Sequence, residues 1–68
     1  MHTTFTVHRL NEIGLKKADD LAHEFDRLLT LIEGMGLSGR ELALVNTHLE
    51  IASFYAKKSM AMRKENQL

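Results

Sequence analysis

The sequence predicts an all-α fold, an antiparallel two-helix hairpin that assembles into a symmetric homo-oligomer. Three observations carry this expectation. Proline is absent, and good helix formers dominate from Asn11 onward. Two long stretches repeat apolar residues at spacings of three and four on either side of one glycine-bearing turn. Finally, a chain of 68 residues without cysteine is too short to bury a sufficient core alone and has no disulfides to replace one. An oligomer interface is the remaining staple.

The first helix is expected over about 11–35. Ala18, Leu21, Phe25, Leu28, Ile32 and Met35 form a coiled-coil-like seam, with Ala22 and Leu29 on its shoulder. Asn11 suits the N-cap, and Gly36 suits the left-handed residue that ends the helix. A turn over 36–38 follows. The second helix, about 39–64, opens on Ser38-Gly39-Arg40-Glu41, the pattern of a capping box, with Leu37 and Leu42 spaced as a hydrophobic staple. One apolar stripe runs through Leu42, Val45, Leu49, Ala52, Ala56 and Met60. A second runs through Leu44, Ile51, Tyr55 and Met62, with Phe54 between them. A single partner helix covers one stripe, so the surplus face calls for another chain. Each helix spans roughly 37 Å at ~1.5 Å per residue, and so short a turn makes them antiparallel neighbours. The whole chain, 1–68, reads as a single domain. Residues from about 64 are expected to fray, and residues 1–7 to form an extended arm or part of a short extra helix.

Charge excludes several partners. Lysine plus arginine and aspartate plus glutamate number 9 each, a balance that argues against a general binder of duplex nucleic acid. No apolar run approaches the ~20 residues of a membrane span, and the N-terminus lacks the regions of a secretion signal. A soluble intracellular protein is the expectation.

The balance hides an asymmetry. Residues 19–50 hold most of the carboxylates, whereas the flanks hold Arg9, Lys16, Lys17, Lys57, Lys58, Arg63 and Lys64. A turn near residue 37 brings Lys16 and Lys17 level with Lys58 and Lys57, making the open end of the hairpin basic and the turn end acidic. Read plainly, these are solvated faces whose opposite ends attract in an oligomer. Read functionally, they form an anion site built where several hairpins meet. Lysine ammonium groups suit phosphates, and Phe5, His8 and Tyr55 are stacking groups for nucleobases. A nucleotide answers both.

Other chemistry has weaker support. Asp19 and His23 share a helical face with His48 near their level, but no metal-binding motif accompanies them, so a rim histidine is the preferred reading. Glu24 and Glu50 occupy no evident pocket. No phosphate loop, nucleophile elbow or cysteine is present. Neither cofactor nor catalysis is expected.

The run from Arg40 to Ser59, with Arg40-Glu41, Ala43, Thr47, Leu49-Glu50, Ala52, Tyr55-Ala56 and Lys58-Ser59, resembles the second helix of the phage anti-CBASS sponges. These helical-hairpin proteins sequester the cyclic oligonucleotide signals of bacterial antiphage immunity. The resemblance covers residues ~8–62. It implies a homohexamer in the cytoplasm of the infected host. It also implies that cyclic dinucleotides are held between neighbouring chains, cyclic trinucleotides in some members at separate threefold sites, and neither is cleaved. Carried over, the stacking aromatic and its basic neighbour fall on His8-Arg9, with Phe5 as an alternative, and the late basic residue falls on Lys58. The family's first-helix lysine has no clean counterpart. Ala22 and His23 are nearest in register, while Lys16 and Lys17 lie earlier. This departure implies a changed preference for dinucleotides or their loss. The competing function is an oligomeric interaction module that docks another protein through Leu44, Ile51 and Tyr55.

Overall fold

The computed structural model describes residues 6–68. Helix α1 (Glu12–Glu33) and helix α2 (Gly39–Ala61) pack side by side, and a 3-10 turn, Lys64–Asn66, closes the chain. Asn11 caps α1, its Oδ1 accepting from the Gly14 amide at 2.8 Å, which satisfies one of the free N–H groups of the first turn. The connection after α1 needs two left-handed residues, and glycine supplies both: Gly36 at φ 78° and Gly39 at φ 80°.

Gly39 also explains a departure from expectation. Ser38 stands at the N-cap of α2 but makes no side-chain capping bond. A capping box requires helical backbone immediately after the cap, and the left-handed Gly39 turns the chain out of that geometry. Both helices also end earlier than their periodicity suggests, α1 at Glu33 and α2 at Ala61.

Between the helices runs a seam of half-buried residues. From α1 come Ala18, Leu21, Phe25, Leu29 and Ile32, and from α2 Leu42, Val45, Leu49, Ser53, Ala56 and Met60. The register differs from the expected one by a rotation: Leu29 takes the inward place given to Leu28, and Ser53 that given to Ala52. A straight α-helix drifts by ~20° per heptad relative to a 3.5-residue repeat, so a seam drawn at strict heptad spacing slips by one residue.

Among the described residues no hydrophobic side chain is fully buried. The molecule measures 42 × 25 × 11 Å, the thickness of one helix layer. A domain needs two layers to enclose a core, and this hairpin supplies one. Leu44, Ile51, Phe54, Tyr55 and Met62 stand exposed on the face of α2 turned away from α1, and Leu28, Leu31 and Met35 line the edge of α1 near the turn. Among the described residues no helix is long and apolar enough to cross a membrane.

The C-terminal residues, expected to fray, are tied down. Leu10 and Gln67 form an antiparallel bridge, the Asn11 amide donates to the Asn66 carbonyl at 2.9 Å, and the Leu68 amide to the Arg9 carbonyl at 2.9 Å. The Asn11 side-chain amide donates to the carbonyls of Glu65 (2.9 Å) and Gln67 (3.1 Å). Asn66 is 1% exposed. This tail lies against Gly14, where a β-carbon would collide with the Asn66 carbonyl oxygen and come within 3.1 Å of the Leu10 side chain. Only glycine admits so close a backbone approach at a helix start.

Candidate nucleotide-binding groove

The open end of the hairpin holds a shallow, open groove of about 500 Å³. Leu21, Ala56 and Met60 give it an apolar floor. Lys17 and Arg63 supply cations to its walls, with Asp20, Glu24 and Ser59 beside them. Amphipathic packing explains the arrangement: the seam residues Leu21, Ala56 and Met60 carry the floor, and their polar neighbours stand on either rim.

The cations differ in how far their charge is already answered. Lys16 Nζ contacts both carboxylate oxygens of Asp20, at 3.2 and 3.3 Å, on an exposed surface. Arg63 pairs through Nε with Glu65 at 3.3 Å, leaving its terminal nitrogens to other acceptors. Lys17 donates instead to a neutral oxygen, Asn66 Oδ1, at 2.8 Å, and among the described residues it has no ion pair. Its ammonium therefore has no carboxylate in direct contact, although it acts at longer range on Glu65, and it keeps two further N–H donors. The Glu65 carboxyl is held below the ordinary carboxylate range. A backbone hydrogen bond is the main cause; desolvation is next and opposes it, and the Arg63 and Lys17 charges then add to the lowering.

The expected site residues divide among several faces. Phe5 lies outside the described residues. His8 is half-buried and Arg9 exposed, and Arg9 meets the tail through its carbonyl. His23 points away from the groove, its Nδ1 against the Asp19 carbonyl at 2.8 Å and the Asp19 carboxylate at 3.4 Å. Tyr55 stands on the outer face of α2, 61% exposed, edge-on to Phe54 with ring centroids 5.5 Å apart. Lys57 and Lys58 are half-buried and do not line the groove. Two residues along a helix is a rotation of roughly 200°, so Lys57 and Ser59 project from opposite sides of α2. Being level with Lys17 does not bring Lys57 to it. The structure sets Lys17 beside Arg63 in the groove lining and against Asn66; the sequence counted Arg63 in the basic end without choosing it as a site residue, and did not single out Asn66. Arg63 had a signal, lying seven residues beyond Ala56 and four beyond Ser59. Asn66 had none, since its contact with Lys17 joins residues remote in sequence. Among the described residues no group of three or more potential metal ligands forms.

Phosphate is the chemistry these groups address best. An ammonium acts as a point charge and a guanidinium as a planar fork, and the floor between them accepts an apolar or flat surface, with Met60 able to adapt to its shape. The family model described as the Acb2/Tad1 hairpin domain matches residues 1–61. No curated protein and no solved structure matches the chain.

Proposed function

The chain belongs to the Acb2/Tad1 hairpin family, and from that membership and the groove at its open end we propose that it is a phage sponge for cyclic oligonucleotides. It binds cyclic di- or trinucleotide second messengers as a homo-oligomer, without cleaving them, and so keeps CBASS effectors from sensing infection. The observation that carries this reading is the juxtaposition of Lys17 and Arg63 across an apolar floor, a fit to phosphate beside base.

Oligomerisation has a chemical role in this reading. Within one chain Asp20 and Glu24 stand next to the cations and offset part of their field. A polyanion is held firmly where a second copy adds its own basic residues, of which Arg9, Lys57 and Lys58 are candidates with no ion pair among the described residues. Phe5, His8 and Tyr55 are the stacking candidates, and His23 a rim contact. The apolar faces left open by a single-layer hairpin are the surfaces through which copies assemble, and a hexamer is the assembly the sponge reading expects. No nucleophile or metal takes part, because the function is to hold the ligand.

Titration calorimetry with a panel of cyclic di- and trinucleotides tests the proposal. Binding at micromolar protein is expected, with a stoichiometry fixed by the oligomer and an affinity that falls as salt rises. No binding by any member of the panel overturns it. A second reading, an interaction module for another protein, is favoured by the exposed stripe through Leu44, Ile51 and Tyr55. A solution mass equal to one chain, with that stripe still open, supports the module; a hexameric mass supports the sponge.

A further inference from the structure

The tail that closes over the start of α1 lies beyond the 1–61 segment matched by the family model, and one of its side chains governs the cation of the groove. Asn66 is almost fully enclosed, with 1% exposure. Its Nδ2 donates to the Met60 carbonyl at the end of α2, at 2.8 Å. That bond fixes which way the amide faces, because the nitrogen is committed and the oxygen must point the other way. The other way is Lys17, whose Nζ donates to Asn66 Oδ1 at 2.8 Å. The tail that carries Asn66 is itself anchored. Asn11 holds the carbonyls of Glu65, Asn66 and Gln67, and the Gln67 side chain donates to the Ala61 carbonyl at 2.9 Å.

We infer that Asn66 is a positioning residue for anion binding: it holds the Lys17 ammonium at the groove without neutralising it. The contrast with Lys16 gives the physical reason. A lysine held by a carboxylate, as Lys16 is by Asp20, is oriented but loses much of its pull on a phosphate. A free lysine keeps its charge but surrenders the entropy of a long, flexible side chain when it binds. A neutral carbonyl oxygen on a rigid support removes both penalties. It restricts the ammonium to one place beforehand and leaves its charge and two N–H groups for the ligand. The tail is thereby part of the binding site, although it lies outside the hairpin that defines the family.

The inference rests on the sponge reading, and one set of titrations separates their failures. The wild-type oligomer, Asn66→Asp, Asn66→Ala, Lys17→Met and the double variant Lys17→Met/Asn66→Ala are titrated with the same cyclic di- and trinucleotides at several salt concentrations. Circular dichroism and sedimentation confirm the fold and assembly of each. Asn66→Asp keeps the side chain's size but places a carboxylate on Lys17 and removes the donor to the Met60 carbonyl, and an affinity loss of about tenfold or more is expected, with a shallower salt dependence. Asn66→Ala is expected to weaken binding in the wild-type background and to have no further effect once Lys17 is methionine, since it acts through Lys17. A merely structural role would persist in the Lys17→Met background. Wild-type affinity and salt slope in both Asn66 variants overturn the inference alone. Failure of the wild type to bind any ligand overturns the sponge reading and the inference with it. Should the variants not assemble, the Lys17 15Nζ resonance of the unaltered protein decides. It must move on ligand addition, and a resonance that stays in place overturns the inference.

Discussion

The two ends of this hairpin are held by different physics. At the open end a polar network joins residues far apart in sequence: Asn11 reaches Glu65, Asn66 and Gln67, and Lys17 reaches Asn66. The turn end has no comparable network among the described residues. Two glycines with positive φ bend the chain there, and Leu31, Met35 and Leu37 remain exposed. Hydrogen bonds are directional and set positions, whereas apolar surface is satisfied by any well-shaped cover. The open end is thus built to place side chains, and the turn end and outer face of α2 are suited to being covered by another copy.

This contrast breaks most severely at Gly14. Gly14→Val should push the tail away, since its β-carbon meets the Asn66 carbonyl and the Leu10 side chain. Overpacking of this kind costs about 1–3 kcal/mol, and it should appear as a lower melting temperature together with fast amide exchange at Asn11 and Leu68. The same substitution at Gly34, where the nearest atom a β-carbon would meet is 3.4 Å away, should leave those two amides protected.

A sharper comparison sets the two N-caps against each other. Asn11→Ala removes a capping bond and two tail contacts and should destabilise by about 1–2 kcal/mol. Ser38→Ala removes no capping bond and should stay within ~0.5 kcal/mol of wild type. Equal losses in chemical denaturation would show that the cap of α2 forms after all.

The smallest expected effect is on pH dependence. The Glu65 carboxyl is depressed in the folded chain, so its contribution to stability is present above its unfolded pKa. That contribution is lost as pH falls through the lower folded value. Loosening of the tail should therefore be seen only on the acid side of the ordinary carboxylate range, and should be weak because the group is exposed. Glu65→Gln should remove that acid-side change in Leu68 amide exchange.

How much of this was legible in the sequence follows the same division. The helices, the Asn11 cap and the left-handed conformation of Gly36 rest on local patterns and were readable from neighbouring residues, although Gly34, in right-handed backbone, takes the place at the end of α1 expected of Gly36. So was the surplus stripe of α2, since periodicity alone places Leu44, Ile51 and Tyr55 away from the seam. The tail was not legible. Lys64, Glu65, Asn66 and Gln67 have no apolar period, and the contacts that tie this tail to the start of α1 run to Arg9, Leu10, Asn11 and Lys17, near the other end of the chain. The basic end was legible as a region but not as a site. Charge counting grouped Lys57, Lys58 and Arg63 with Lys17; helix rotation directs Lys57 away from the groove, and Arg63, just past the end of α2, lines it. The capping box at Ser38 was over-read because the pattern does not register the backbone conformation of Gly39.

The most direct measurement of the central claim is ligand sequestration followed by recovery. The protein is mixed in excess with a cyclic di- or trinucleotide that it binds, and free ligand is measured by equilibrium dialysis before and after heat denaturation. Free ligand should fall in proportion to the protein added, then return in full and chemically unchanged once the protein is denatured. Free ligand that never falls, or that returns linearised, would contradict the account.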